Sequence, residues 1–379
     1  MVLAALGQAS ALDIEITYLH LEQKARPTLS NLDPIPDDLG LAGALLAIEE
    51  NNTTGRFLGQ IYRLKTVSIK AENTQKSELE GIINRARYII TDAKASDLLN
   101  IADLAAAHQA IVFSTADPSV DLRSTSCRAN LLHTGASHAM RADALSQFLL
   151  YRRWGKTALI AGTHQEDQAF ARALERSLAK FGLQKPKQKD WSFDADMRRS
   201  ASQEVPLFTQ ELGEYDVLLI ADEANDFARY IPYNTWLARP TAGAVGMQSK
   251  AWDRTVEQWG AAQLQGRFRV QSGRNMQPQD YAAWAAVRSL GEAVIRTKSA
   301  DAQTLRTYML SDDFELGGFK GRPLSYRAWN GQLRQPMPIV HDDAVIASAP
   351  LEGFLHQNNE LDTLGLDAPE SDCRAFKEN

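Results

Sequence analysis

The stretch PQDYAAWAAVRSLGEAVIRTKSADAQTLRTYMLSDDFELGGFKGRPLSYRAWNGQLRQPMPIVH, residues 278–341, decides the fold. Pro278 suits the first turn of a helix, where its missing N–H would find no partner anyway. Ala283, Val287, Leu290 and Val294 then recur at the spacing of one helix face. Ser299 is placed to cap a second helix carrying Leu305, Tyr308 and Met309. Gly317, Gly318 and Gly321 break the chain. Leu324, Tyr326 and Ala328 alternate up to Asn330-Gly331, a strong hairpin signal, and Leu333, Met337 and Ile339 follow on the return. An antiparallel ribbon this late does not belong to a βα ladder. It signals a chain that finishes one lobe and travels back to another.

A βα ladder is what precedes it. Strands are expected at 13–21, 61–69, 88–91 and 110–114, with helices at about 37–52, 77–87 and 97–108 between them. A second ladder starts after His133, with helices at about 139–154 and 166–181, a helix from about Asp226, and strands at 157–161, 217–221 and 243–247. Residues 185–208 are polar and irregular and read as a surface excursion, and 252–265 are mixed. Alternating βα units imply parallel sheets with helices on both faces, and two ladders imply two such lobes.

Bulk properties agree with a folded chain: 379 residues, enough for two domains, with 44% hydrophobic and 23% charged residues. The net charge is −6, and no concentration of basic residues suggests a nucleic-acid surface. No apolar run reaches about 18 residues, so no membrane span is expected. Residues 1–11, ending in Ala9-Ser10-Ala11, resemble the apolar part and cleavage site of a residual signal peptide; the plain alternative is a frayed terminus. The two cysteines, Cys127 and Cys373, either pair in an oxidising compartment or remain unrelated buried thiols. Pairing would stabilise by roughly 4–5 kcal/mol through loop entropy.

The chain has no phosphate loop, no G-x-G-x-x-G after its first strand, no G-x-S-x-G elbow and no Cys/His zinc spacing. No catalytic residue is therefore assigned. Sites in parallel sheets lie beyond the carboxyl ends of strands. That rule selects His20 and Glu22 after the first strand, Asp92 and Lys94 after the third, and Ser114, Thr115 and Asp117 after the fourth. In the second ladder it selects Thr163, His164 and Glu166, then Asp222, Glu223 and Asn225, with Gln248 further on. Loops are polar because they face water, but a set facing a cleft can hold a polar ligand. Clustered carboxylates suit hard cations and imidazole suits transition metals, so a metal ion is a second possibility, with His341-Asp342-Asp343 as a further cluster. Tyr18, Trp191, Tyr230, Tyr233, Trp236 and Trp252 could form a stacking wall, although aromatics at regular spacing more often form core.

Asp38-Leu-Gly-Leu-Ala-Gly-Ala44 with Asn51-Asn52, Thr157-Ala-Leu-Ile-Ala-Gly162 followed by a helix and Gly182, Tyr281-Ala-Ala-Trp-Ala-Ala286, and Phe319-Lys-Gly-Arg-Pro-Leu-Ser-Tyr326 occur in a telling order and spacing. Together, over most of 12–345, the chain resembles the type I periplasmic solute-binding proteins of ABC importers, in the leucine/isoleucine/valine-binding branch. The resemblance implies an α/β fold of two doubly wound lobes with three crossovers, near Leu131–Thr134, Phe268–Ser272 and Pro336–His341. Lobe 1 would hold 12–132 plus 270–338, and lobe 2 133–269 plus 339–379. It also implies a non-catalytic periplasmic monomer that captures a small solute and delivers it to permease and ATPase subunits. A ligand-sensing protein of the same fold, acting through a receptor or regulator, is the alternative.

The loops depart from the amino-acid binders. Ser114 and Thr115 partly keep the carboxylate-holding pattern, but Asp92 and Asp117 put negative charge where a ligand carboxylate would sit, and no acidic partner for an amino group stands out near Met247-Gln248-Ser249. Arg123-Ser-Thr-Ser-Cys-Arg-Ala-Asn130 and Asp372-Cys-Arg-Ala-Phe376 resemble the subgroup associated with pyrroloquinoline-quinone (PQQ)-dependent alcohol oxidation. That resemblance implies an alcohol-derived molecule, the quinone itself, or a bound calcium or lanthanide ion as ligand, with no cofactor required.

Overall fold

The computed structural model describes residues 11–23, 34–71, 76–192 and 197–377. The signal-peptide segment thus lies, apart from Ala11, outside the described residues. Lobe 1 opens with β1 (Leu12–Glu22), α1 (Leu41–Leu58), β2 (Gln60–Lys70), α2 (Lys76–Ile83), β3 (Tyr88–Thr91), α3 (Ala95–Ala106), β4 (Ile111–Ser114) and β5 (Leu131–His133). These strands form a parallel sheet in the order β2-β1-β3-β4-β5. Lobe 2 carries α4 (His138–Tyr151), β6 (Thr157–Gly162), α5 (Gln165–Lys180), β7 (Lys187–Trp191), α6 (Met197–Gln210), β8 (Val217–Ala221) and β9 (Thr241–Gly243), in a parallel sheet ordered β7-β6-β8-β9. The inner strands β3, β4, β6 and β8 are buried throughout, which is why they read as continuous apolar runs.

After β10 (Gln248–Ser249) the chain returns to lobe 1 with α7 (Ala261–Ser272), α8 (Pro278–Thr297), α9 (Ala302–Met309) and the antiparallel pair β11 (Ser325–Tyr326) and β12 (Leu333–Arg334). It then enters β13 (Met337–His341) and β14 (Ala344–Ala349), which form a three-stranded antiparallel sheet with β10. Ile339 lies in the lobe 2 core and Ala347 packs against it. The first and third crossings fall near His133–His138 and Gln335–Met337. The second differs from expectation. Trp252, Val256, Leu264 and Phe268 are already in the lobe 1 core, so the crossing is at Ser249–Trp252 rather than at 268–272. The C-terminal tail is corrected likewise: Cys373 and Phe376 sit in the lobe 1 core, not in lobe 2.

Other local expectations also shift. The segment expected to be irregular, 185–208, holds β7 and most of α6; as a sheet-edge strand, Lys-Gln-Lys-Asp-Trp shows no apolar alternation. No long helix starts at Asp226; a single 3-10 turn occupies Ala228–Tyr230. Asn51 does not end α1. Its buried amide donates to the Val287 carbonyl of α8, and the helix runs on to a left-handed Gly59 cap. Asp301, not Ser299, caps α9 by accepting from the Thr304 N–H. Of His341-Asp342-Asp343, His341 ends β13 and the two aspartates form the turn to β14, with Asp342 left-handed.

Helix α8 is buried on nearly every side because Ala282, Ala283, Ala285 and Ala286 let neighbours approach closely. Gly43 of α1 makes the tightest approach: a Cβ there would lie 1.9 Å from the Asp280 carbonyl oxygen. Gly43→Ala is therefore expected to destabilise by at least the 1–3 kcal/mol usual for overpacking, read as a lower urea midpoint. A wild-type midpoint would show that the two helices part at no cost.

Candidate functional site

The carboxyl ends of β1, β3 and β4 in lobe 1 face those of β6 and β8 in lobe 2. The facing is direct: Lys94, at the start of α3, places Nζ 3.1 Å from the Glu166 carboxylate in the first turn of α5. Below this pair, α4 begins at the base of the cleft. Ser137 caps it by accepting from the Met140 N–H, and the His138 N–H donates to the Pro118 carbonyl at 2.9 Å.

The base of the cleft is built on Arg141. Its guanidinium forks onto Glu223 at 2.6 and 2.9 Å and lies over the Phe170 ring at 4.4 Å. The pair is about one-fifth exposed. Burial alone would raise the Glu223 carboxyl, but Arg141 draws it below its usual range. Glu223 is held in place by Asp167, whose carboxylate accepts from the N–H groups of Glu223, Ala224 and His164. Gly162 leaves room for that carboxylate, since a Cβ there would come within 2.2 Å of Asp167 Oδ2. Asp222 turns inward and accepts from the N–H groups of Asp226, Phe227 and Ala228, fixing the turn after β8.

On the lobe 1 side, His20 Nδ1 lies 2.5 Å from Asp92, which also accepts from the Leu21 N–H. That hydrogen bond raises the His20 imidazole above its usual value. Asp117 accepts from the Ser119 N–H, and Thr115 donates to the Thr91 carbonyl. Ser114 is fully buried at the end of β4 and its hydroxyl has no hydrogen-bond partner among the described residues. Across the cleft, His164 Nε2 is 2.7 Å from Asp226.

The structure thus brings Lys94, Asp117, Glu166 and Glu223 to one cleft, with His20, Asp92 and His164 on its rims. It removes others. Glu22 accepts from Ser68 at the sheet edge, Asp222 is a turn cap, and Gln248 donates to the Ala244 carbonyl beside its own strand. The carboxylates are taken up one by one by imidazole, guanidinium, ammonium or N–H partners. Among the described residues, no three carboxylate, imidazole or thiol groups converge as a metal cage. The aromatic wall is also dispersed: Tyr18, Trp191 and Trp252 are core, while Tyr233 and Trp236 are exposed. His138 and Arg141 were missed because the strand-end rule looks past a helix that starts at a lobe crossing. Ser137 followed by His138 and Arg141, three apart on one helix face, was the available signal.

His138 is 2% exposed, and burial followed by the nearby Arg141 lowers its imidazole to about 4, with Glu223 and Asp117 opposing and Arg123 assisting. An unfolded histidine titrates near 6.5. Between those values the unfolded chain binds the extra proton, so stability falls as pH drops from about 6.5 towards about 4. The limiting slope is about 1.4 kcal/mol per pH unit for each such group. Buried His133 acts in the same direction. His138→Gln should flatten the fall, measured as urea midpoints between pH 7 and pH 4.5. An unchanged slope would remove His138 from the acid response.

No protein-family model and no curated sequence matches the chain. Solved structures do. A branched-chain amino acid ABC transporter periplasmic ligand-binding protein from Burkholderia xenovorans LB400 superimposes with a TM-score of 0.72 at 15% identity, over 96% of this chain and 100% of the other. A leucine-, isoleucine-, valine-, threonine- and alanine-binding protein from Brucella ovis, in its closed conformation, gives 0.69 at 12% identity, over 90% and 93%. An ABC transporter substrate-binding protein from Desulfitobacterium hafniense in complex with Leu gives 0.63 at 16% identity, over 88% and 99%. At such identities the likeness shows the fold: the chain has the two-lobed, type I periplasmic binding protein architecture.

Proposed function

We propose that the chain is the periplasmic substrate-binding component of an ABC transporter, a non-catalytic protein that captures a small polar solute between its lobes. The observation that carries this reading is the cleft itself. Two parallel sheets present their carboxyl ends to each other, and Lys94–Glu166 already joins the two walls. Proteins of this architecture close on ligand by hinge motion, and a ligand shifts that equilibrium only by its differential affinity for the closed form. The Arg141–Glu223 pair, about one-fifth exposed, presents a cation and a carboxylate side by side at the base of the cleft, so the solute is polar. No helix among the described residues is long and apolar enough to cross a membrane, and the reading assigns delivery to separate permease and ATPase subunits.

The finer assignment follows the sequence resemblance to the PQQ-associated subgroup. It selects which solutes to try first: small acids and aldehydes derived from alcohols, PQQ, calcium and lanthanum, with branched-chain amino acids alongside. In a thermal-shift and calorimetric panel, a solute at about 100 times its Kd should stabilise the protein by about 2.7 kcal/mol. Stabilisation by an organic member that is lost in Arg141→Met supports the cleft. Stabilisation by calcium or lanthanum alone, lost in Asp92→Asn with Asp117→Asn, would replace the organic solute by the ion. A panel without any stabilising member would overturn the solute assignment.

A further inference from the structure

We propose that residues 360–373 form an interlobe strap, a fourth tie between the lobes that braces the hinge and narrows the range over which the cleft opens. The chain leaves lobe 2 after β14 and does not trail into solvent. From lobe 1, the fully buried Arg327 donates to the Asp362 carboxylate at 3.0 Å and to the carbonyls of Leu361, Leu364 and Leu366. Arg334 adds a second bond to Asp362 at 2.7 Å. From lobe 2, Lys180 at the end of α5 donates to the carbonyls of Thr363 and Gly365, to Asp143 of α4 and to Glu370. Asp143 in turn accepts from the Gly365 N–H at 2.7 Å. Within about one turn of chain, therefore, a cation from each lobe holds alternate carbonyls of the same segment.

Gly365 is the point of contact. Its φ is +90°, and a Cβ there would lie 2.8 Å from Met140 Cγ of lobe 2 and 3.0 Å from Arg327 Nη1 of lobe 1. Leu364 is buried against Met140 and Ala144, closing the lobe 2 side. The far end is fastened to lobe 1: Ser371 donates to the Arg123 carbonyl, the Asp372 N–H donates to Ser124, and Cys373 is disulfide-bonded to Cys127. Opening the cleft rotates lobe 2 against lobe 1, and a rotation that parts Lys180 from Arg327 must break one of these two sets of contacts. The three crossings alone would allow it.

The inference rests on the hinged two-lobe reading but not on any particular solute, and its test uses the protein without solute. Two full-length variants release the strap by different means. One combines Cys127→Ser and Cys373→Ser with Lys180→Met; the other is Gly365→Leu, whose side chain cannot fit between Met140 and Arg327. The readouts are hydrogen exchange, resolved by peptide, and the radius of gyration from solution scattering. The expected result is exchange faster by about tenfold or more in the crossings at 133–138, 249–252 and 335–337, beyond the acceleration of the inner strands β3 and β8 that the lost global stability itself brings, with a larger radius of gyration. Wild-type exchange at the crossings and a wild-type radius in both variants would overturn the strap, whether or not 360–373 itself exchanges faster. A failed solute panel beside released crossings would count against the solute assignment alone.

Discussion

Arg274→Met is expected to lower stability by about 3–5 kcal/mol, the usual consequence of stranding a buried charge. Asp280 is fully buried in the first turn of α8, and Arg274 forks onto it at 2.7 and 2.9 Å. The same carboxylate accepts from the N–H of Gly40 at 2.7 Å and of Gln277 at 2.9 Å. It therefore joins the entrance of α1, the exit of α7 and the start of α8 at one point, and Arg274 also reaches Asp38 ahead of α1. Without the guanidinium, two N–H groups remain to support a carboxylate removed from water. Urea unfolding measures the loss. Adding Asp280→Leu to Arg274→Met should recover part of it, because replacing both partners removes the stranded charge. A single-variant loss below about 1 kcal/mol, the value of an exposed pair, would show that the site admits water and that the junction is held by packing alone.

Replacing both Cys127 and Cys373 by Ser is expected to cost about 2–5 kcal/mol. The bond joins residues 246 apart, with Cα atoms 5.7 Å from each other, so it closes most of the chain into one loop. Both residues are buried in the lobe 1 core, where Phe376 and the Arg306 guanidinium lie beside them. The unfolded chain gains the lost freedom when the link is removed. Calorimetry of the serine variant, and of the wild type with reductant, should show the same lowered transition. A serine variant as stable as the wild type would mean that the contacts of Ser371, Asp372 and Phe376 suffice to hold the segment.

Much of the architecture was legible because it depends on short-range periodicity. Buried parallel strands read as Tyr88-Ile-Ile-Thr91 or Val217-Leu-Leu-Ile-Ala221, and the late helices announce themselves through Pro278 and an apolar face. Edge elements were hidden for the same reason. β7 needs only one buried end residue, so its sequence looks like loop. The second crossing was misplaced because Trp252 and Val256 lie between β10 and α7 and belong to no regular element, yet both fill the lobe 1 core.

The cleft was half legible. The rule that ligands gather at the carboxyl ends of parallel strands located Lys94, Asp117, Glu166 and Glu223. It could not say that Asp222, chemically the twin of Glu223, would turn inward to cap three N–H groups while its neighbour took Arg141. Nor could it decide whether the two cysteines pair.

The class of fold, the two βα ladders and the return of the chain to lobe 1 are written into the chain locally, since each follows from alternation, helix spacing and turn chemistry within about twenty residues. Which side chains meet is a property of the packed molecule. Arg141 and Glu223 are 82 residues apart, Lys94 and Glu166 72, and Cys127 and Cys373 246. Such pairings are fixed by how two lobes and a returning tail pack. Burial makes the Arg141–Glu223 pairing energetically obligatory, because a charge withdrawn from water must find a partner, while Lys94 and Glu166 meet at an exposed position; nothing local in the chain names either partner.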